Sequence, residues 1–134
     1  MKYNKVKSYA KINLALNVVG KTSLLHKIES VVAFIDLHDV IKIKRIKSHQ
    51  HNISFNGKFS KNISKKNTIS NLLEILEKKK LLINQKFEIK INKQIPNKAG
   101  LGGGSMNAAN ILKFLIKKEI IKINKENISK ISKL

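Results

Sequence analysis

The sequence predicts an α+β domain, on three observations. Apolar residues alternate with period 2 in several segments, the period becomes helical near residue 69, and a glycine-rich stretch separates a strand pattern from a second helix pattern. The 134 residues suit one domain spanning 1–134, long enough to bury a core and short for two.

The first strand is expected over residues 6–19, with Ile12, Leu14, Leu16 and Val18 on one side and Lys11, Asn13, Ala15 and Asn17 on the other. Residues 20–23 read as a turn. A second apolar run covers residues 31–35, after which Asp36 and Asp39 read as turn residues. Over residues 40–46, Ile41 and Ile43 alternate with Lys42 and Lys44. Asn56-Gly57, between Ile53 to Phe55 and Phe59, is a hairpin-turn signal.

Ile69, Leu72, Leu73 and Leu76 then have the i, i+3, i+4, i+7 spacing of an amphipathic helix. Thr68 or Ser70 suits its N-cap, and Lys78, Lys79 and Lys80 suit the negative end of its dipole. Period 2 returns over residues 86–95, with Phe87, Ile89 and Ile91 on one face, and Pro96 ends that strand. A helix follows over residues 106–118, with Ala109, Leu112 and Ile116 on its stripe. A last helix, over residues 126–134, places Ile128, Ile131 and Leu134 three apart without a C-cap signal.

Composition excludes several chemistries. With no cysteine there is no disulfide, thiolate metal site or cysteine nucleophile. No apolar run reaches the 18 or so residues that cross a bilayer, so no membrane partner is expected. The polar N-terminus has no secretory pattern, and a cytoplasmic location is expected. The net charge of +20 suggests a basic module that binds nucleic acid or other anions without catalysis, and this is the alternative reading. Against it, Arg45 is the only arginine, and Lys, Ile and Asn are what A/T-rich codons supply. Aromatics make up only 5% and do not interleave with the lysines as a base-stacking surface requires, so no specific nucleic-acid partner is expected.

The segment that carries chemistry is Pro96-Asn97-Lys98-Ala99-Gly100-Leu101-Gly102-Gly103-Gly104-Ser105-Met106-Asn107-Ala108-Ala109. Glycine lets backbone approach a ligand closely, and a helix start offers unpaired N–H groups to a phosphate. Ser105 adds a hydroxyl. The stretch is neither a Walker A nor a G-x-G-x-x-G fingerprint.

This segment resembles the ATP-binding motif of the GHMP small-molecule kinases. Ala10-Lys11-Ile12-Asn13-Leu14 is similar to an N-terminal block of one branch of that family. So is His26, followed by Val31-Val32-Ala33-Phe34-Ile35-Asp36 and Asp39. That branch phosphorylates the 2-hydroxyl of a cytidine-diphosphate-linked sugar alcohol, methylerythritol, in the non-mevalonate isoprenoid pathway. The three blocks stand in the right order over essentially the whole chain, and correspond to the N-terminal half of the family's architecture. The resemblance implies a GHMP N-terminal domain of the ribosomal protein S5 domain 2-like class, with a left-handed β-α-β unit. It also implies ATP as phosphoryl donor, with Mg²⁺ bridging the phosphates and no protein metal ligand.

By the same resemblance Lys11 is catalytic, stabilising charge near the acceptor hydroxyl. Asn13, two residues on, contacts the substrate, and His26 hydrogen-bonds the cytosine. Residues 96–106 form the nucleotide loop, with Gly100, Gly102, Gly103, Gly104 and Ser105 around the phosphates. The sequence also departs from the family. Ser23-Leu24-Leu25 stands where Asp-Gly-Tyr usually precedes the histidine, and Leu25 offers no ring to stack on a base. Lys98 and Ala99 stand at loop positions often occupied by small residues, and Met106 replaces a small residue. The Gly-Ala-Asp-Val-Pro motif, with its catalytic aspartate, is absent, as is the C-terminal GHMP domain. The resemblance therefore implies a truncated or split form, impaired or inactive alone, whose partner in the split case is a separately encoded C-terminal half.

Overall fold

Alternation of buried and exposed residues builds the sheet. The structure, a computed structural model, describes residues 2–21, 26–97, 101–124 and 126. Strands β1 (Asn4–Lys21), β2 (His26–Ile46), β3 (Asn52–Asn56) and β4 (Lys86–Asn92) form one sheet in the order β1-β2-β4-β3. The β1–β2 and β2–β4 pairs are antiparallel, and β3 runs parallel to β4. Register aligns the inward residues in rows across the strands. Ile43, Ile89 and Ile53 form one row, and Val6, Ile41, Ile91 and Phe55 the next.

Two helices cover the apolar side. Helix α1 (Thr68–Lys78) lies between β3 and β4 in the chain and buries Ile69, Leu72, Leu73 and Leu76. Helix α2 (Gly103–Lys117) contacts α1, β1 and β2. It lies over two small buried residues of β1, Ser8 and Ala10, and Asn110 donates to the Ser8 hydroxyl at 3.1 Å. Its buried stripe is Asn107, Ile111 and Leu115, and Ala109 is exposed, so the expected stripe through Ala109 is displaced by the buried Asn107. Both helices end in Schellman turns. Lys80 and Glu119 take φ of 57°, and the N–H groups of Leu81 and Ile120 each reach back to a carbonyl at 2.9 Å. Asn62 and Asn84 also adopt positive φ. Among the described residues no helix is long and apolar enough to cross a membrane.

Several local expectations change. Asp36 and Asp39 are not in a turn, because β2 runs unbroken through both. A register shift places Ala10 opposite the three residues Ile35, Asp36 and Leu37, so the polar interruption is a bulge. β1 continues past the expected turn start, pairing Gly20 with Lys27 and Lys21 with His26. Further shifts after Asn13 and Val18 break the strict alternation, and Leu14 is exposed. Asn56-Gly57 closes no hairpin. Gly57 has φ of 94° and turns the chain out of β3, whose partner β4 arrives only after α1. The N-cap of α1 is Asn67, whose Oδ1 accepts from the N–H groups of Ile69 and Ser70 at 3.0 and 3.1 Å. The Ser70 hydroxyl accepts from the Asn67 N–H in return. The expected helix over 126–134 and its stripe Ile128, Ile131 and Leu134 lie outside the described residues, apart from Glu126.

His51 pins the far end of the sheet. Its Nδ1 accepts the Phe87 N–H at 3.1 Å, its Nε2 meets Glu77 at 2.9 Å, and its ring stacks on Phe87. Accepting at Nδ1 requires the neutral ring with the proton on Nε2. Burial lowers the pKa below the ordinary 6.5, against the pull of the Glu77 carboxylate. The unfolded chain therefore binds this proton more readily than the folded one, and stability falls as pH drops below about 6.5. Urea midpoints measured from pH 7.5 to 5 should decline on the acid side, and His51→Asn should flatten that decline. Superimposable profiles would count against this role.

Candidate functional site

The third inward row of the sheet is polar. Ser8 pairs with Asp39, and Lys93 stands one residue beyond the last β2–β4 pair, Val40 and Asn92. Asp39 and Lys93 are buried and joined at 2.5 Å. The chain after Lys93 leads directly into the glycine stretch and the start of α2.

That helix begins at Gly102, which has φ of 67°, and no side chain caps it. Its first-turn N–H groups are therefore free of a side-chain acceptor and carry the positive end of the dipole. Gly102 is constrained twice, because a side-chain Cβ would also stand 3.0 Å from Lys11 Cε. Gly104 differs. It sits within the helix, and a Cβ there would meet only Thr68, at an ordinary 3.5 Å. Packing does not demand glycine at 104, and the space a methyl would take is the space a close ligand needs.

Beside this turn lies a cleft of about 450 Å³. The N-terminus of α1 reaches it through Asn67 and Thr68, and that of α2 through residues 102–105, so two positive helix ends converge. Lys66 adds charge, Lys93 is paired with Asp39, and Phe55, Ile63 and Pro96 give an apolar side. Thr68 Oγ1 donates to the Gly104 carbonyl at 3.0 Å, tying the helix starts together. No acidic side chain lines the cleft among the described residues. The arrangement suits a polyanion with an apolar end.

The structure unites many of the expected site residues. Lys11 is in β1, its N–H donates to the Leu101 carbonyl at 3.2 Å, and its side chain lies against Gly102. Asn13 is exposed on the same face, since the register runs unshifted from Lys11 opposite Phe34 to Asn13 opposite Val32. Phe34 and Val32 are exposed there too. Pro96, Asn97, Leu101, Gly102, Gly103, Gly104 and Ser105 line the cleft. Asn97 also donates to the Phe59 carbonyl at 2.8 Å. Met106 is in α2 but does not line the cleft, and its N–H bonds the Gly102 carbonyl. His26 opens β2 opposite Lys21. Lys98, Ala99 and Gly100, with residues 22–25, lie outside the described residues.

Asp39, Lys66, Asn67, Thr68 and Lys93 were not expected here. One signal was available for two of them. Asp39 has the parity of Ile41 and Ile43, and Lys93 that of Phe87, Ile89 and Ile91, so both fall on buried faces with opposite charges.

The family model of the GHMP kinases N terminal domain matches residues 67–134. The chain is similar to the 4-diphosphocytidyl-2-C-methyl-D-erythritol kinase of Pelagibacter ubique (strain HTCC1062), with 66% identity over 128 residues. That match covers 96% of this chain and 46% of the relative. The kinase of the same name from Finegoldia magna is 36% identical over 131 residues, covering 97% and 46%. A solved 4-(cytidine 5'-diphospho)-2C-methyl-D-erythritol kinase matches with a TM-score of 0.67 and 24% identity, over 90% of this chain and 42% of that one. Homoserine kinase from Cytophaga hutchinsonii matches at 0.57 and 20%, over 86% and 36%. These two likenesses bear on the fold. The chain spans about half the length of the curated relatives it matches.

The two glycines should respond in opposite senses. Gly102→Ala should destabilise the fold by about 1–2 kcal/mol, because an L residue is forced into the left-handed region. Gly104→Ala should stabilise it by about 0.5–1 kcal/mol. The same change should weaken the binding of a phosphate-bearing ligand by about tenfold, the worth of one charge-assisted hydrogen bond. Urea melts paired with tripolyphosphate titrations check both, and a Gly104→Ala protein with unchanged affinity would refute the close approach.

Proposed function

The chain belongs to the family of GHMP kinase N-terminal domains, and on that premise we propose that it is the nucleotide-binding part of a 4-diphosphocytidyl-2-C-methyl-D-erythritol kinase. In this reading the γ-phosphoryl of ATP moves to the 2-hydroxyl of the acceptor. The observation that carries the reading is the contact of Lys11 with Gly102, which sets the acceptor-side lysine against the turn that holds phosphates.

The uncapped N–H groups of α2 and the Ser105 hydroxyl bind the phosphates, and the converging helix ends and Lys66 balance their charge. Phe55, Ile63 and Pro96 pack against the base. Among the described residues no group of three His, Asp or Glu side chains could hold a metal. The Ser105 hydroxyl is a hard oxygen donor in the cleft, of the kind that suits Mg²⁺, and would help to hold an ion brought by the nucleotide. When bound, the ion would supply charge neutralisation to the phosphates.

Lys11 approaches the transferring group from the β1 side, and its ammonium stabilises the charge that develops there. Asn13 orients the acceptor, Phe34 and Val32 give its apolar wall, and His26 contacts the cytosine. Such positioning is the main catalytic need of phosphoryl transfer. The acceptor hydroxyl must also lose a proton. No acidic side chain lines the cleft among the described residues, and Asp39 is engaged by four donors. We assign the proton acceptor to the part of the relatives' length that lies beyond this span, so these 134 residues bind ATP and turn over poorly alone.

Calorimetric titration of the chain with MgATP should show saturable binding in the usual range of about 1 μM–1 mM. A coupled assay with the diphosphocytidyl acceptor should show little turnover. The absence of saturable binding would overturn the nucleotide reading. Enzyme-like turnover by these residues alone would overturn the assignment of the proton acceptor.

A further inference from the structure

Gly102, Gly103 and Gly104 have no side chains with which to hold their own backbone, and fixing glycine costs more entropy than fixing any other residue. Lys11 and Thr68 hold the Leu101 and Gly104 carbonyls. Asp39 touches the chain on both sides of this stretch.

The Asp39 carboxylate is fully buried and receives four donors. Its Oδ1 accepts the backbone N–H groups of Gln94 and Ile95 at 2.7 and 2.9 Å, just before the loop. Its Oδ2 accepts Lys93 Nζ at 2.5 Å and Asn107 Nδ2 at 2.8 Å, the latter one turn into α2 and just after the loop. The residues so gathered press on the loop from behind. A Cβ on Gly103 would stand 3.1 Å from Ile95 Cγ2 and 3.3 Å from Lys93 Nζ. The carboxylate also orients Asn107, because only the amide nitrogen can face it. The other amide atom, Oδ1, is left buried with no partner among the described residues.

We infer that Asp39 is the positioning residue of the glycine loop. From β2 it sets the separation and angle of the strand exit and the helix start, so that the first-turn N–H groups of α2 stand ready for phosphates before any ligand arrives. It touches no ligand itself. The inference deepens the ATP reading, on which its ligand rests. The placement of the two loop ends belongs to the free protein and is read there without a ligand.

Two double variants divide the roles of the carboxylate. Asp39→Asn/Lys93→Met removes the ion pair without stranding an ammonium and keeps an oxygen for the Gln94 and Ile95 N–H groups. Its new amide nitrogen can donate to the unpaired Oδ1 of Asn107 once that amide turns. Asp39→Ala/Lys93→Met is also neutral but removes the acceptor altogether. Hydrogen exchange at residues 102–106 in the nucleotide-free proteins and MgATP titration are measured on both, at a temperature equally far below each melting point.

If Asp39 positions the loop, the Asn/Met pair exchanges and binds within about threefold of the Lys93→Met single variant. The Ala/Met pair then exchanges its loop amides at least tenfold faster and binds MgATP at least tenfold more weakly. Equal behaviour of the two pairs would overturn the inference, since charge balance alone would then be the role of Asp39. If the unaltered chain does not bind MgATP, the nucleotide reading falls. The exchange contrast alone then decides whether Asp39 orders the loop.

Discussion

Asp39 and Lys93 stand one step beyond the last β2–β4 pair, on the same face as Ile41, Ile43, Ile89 and Ile91. Two charges at this depth lose their hydration, and removing either partner of such a pair usually costs about 3–5 kcal/mol. Their attraction alone seldom repays that loss. Here the carboxylate also satisfies two backbone N–H groups and an amide, and those of Ile95 and Asn107 would otherwise be buried without an acceptor. The inward rows of the sheet are thus apolar over the helix core and polar where they meet the loop and the N-terminal half of α2. This change of character converts a packing surface into a foundation for polar chemistry.

The same seam joins the two sides of the site. Through its backbone Lys11 belongs to the loop, by its bond to Leu101, and through its register it belongs to the ribbon of β1 and β2. A group held by the loop and a group held by the ribbon therefore share one reference frame, which is what bringing two reactants together requires. Small residues make this closeness feasible. With Ser8 and Ala10 on the inward face of β1, α2 can approach near enough for Asn110 to reach Ser8 on that strand.

Much of this was legible in the sequence, for different reasons. The glycine stretch stood out because so many glycines between a strand and a helix have few structural uses. The alternation of Ile41 and Ile43 with lysines, and of Phe87, Ile89 and Ile91, gave two strands and their buried faces. Extending the same parity by one more step of two residues would have reached Asp39 and Lys93, but Asp36 and Asp39 look locally like turn formers. Pairing with β1 keeps the chain extended there and absorbs the interruption as a bulge. Asn56-Gly57 misled for a related reason, because the partner of β3 is a strand that arrives thirty residues later, and local turn chemistry carries no information about it. The stripe of α2 was misjudged because Asn107, a polar residue, occupies one of its buried positions.

The residues with positive φ carry one more consequence, for mutational tolerance. Lys80, Glu119, Asn62 and Asn84 occupy left-handed positions where glycine is the easier choice. Lys, Asn and Glu stand there at the cost of only a modest backbone strain. Glycine stands instead at 57 and 102, where the left-handed backbone is combined with a neighbour closer than a Cβ allows, and at 103, where the crowding acts without it. At 104 the fold itself would accept a side chain. Among these four glycines the steric reason runs from strong at 57 to absent at 104, and the one that the fold does not need faces the cleft.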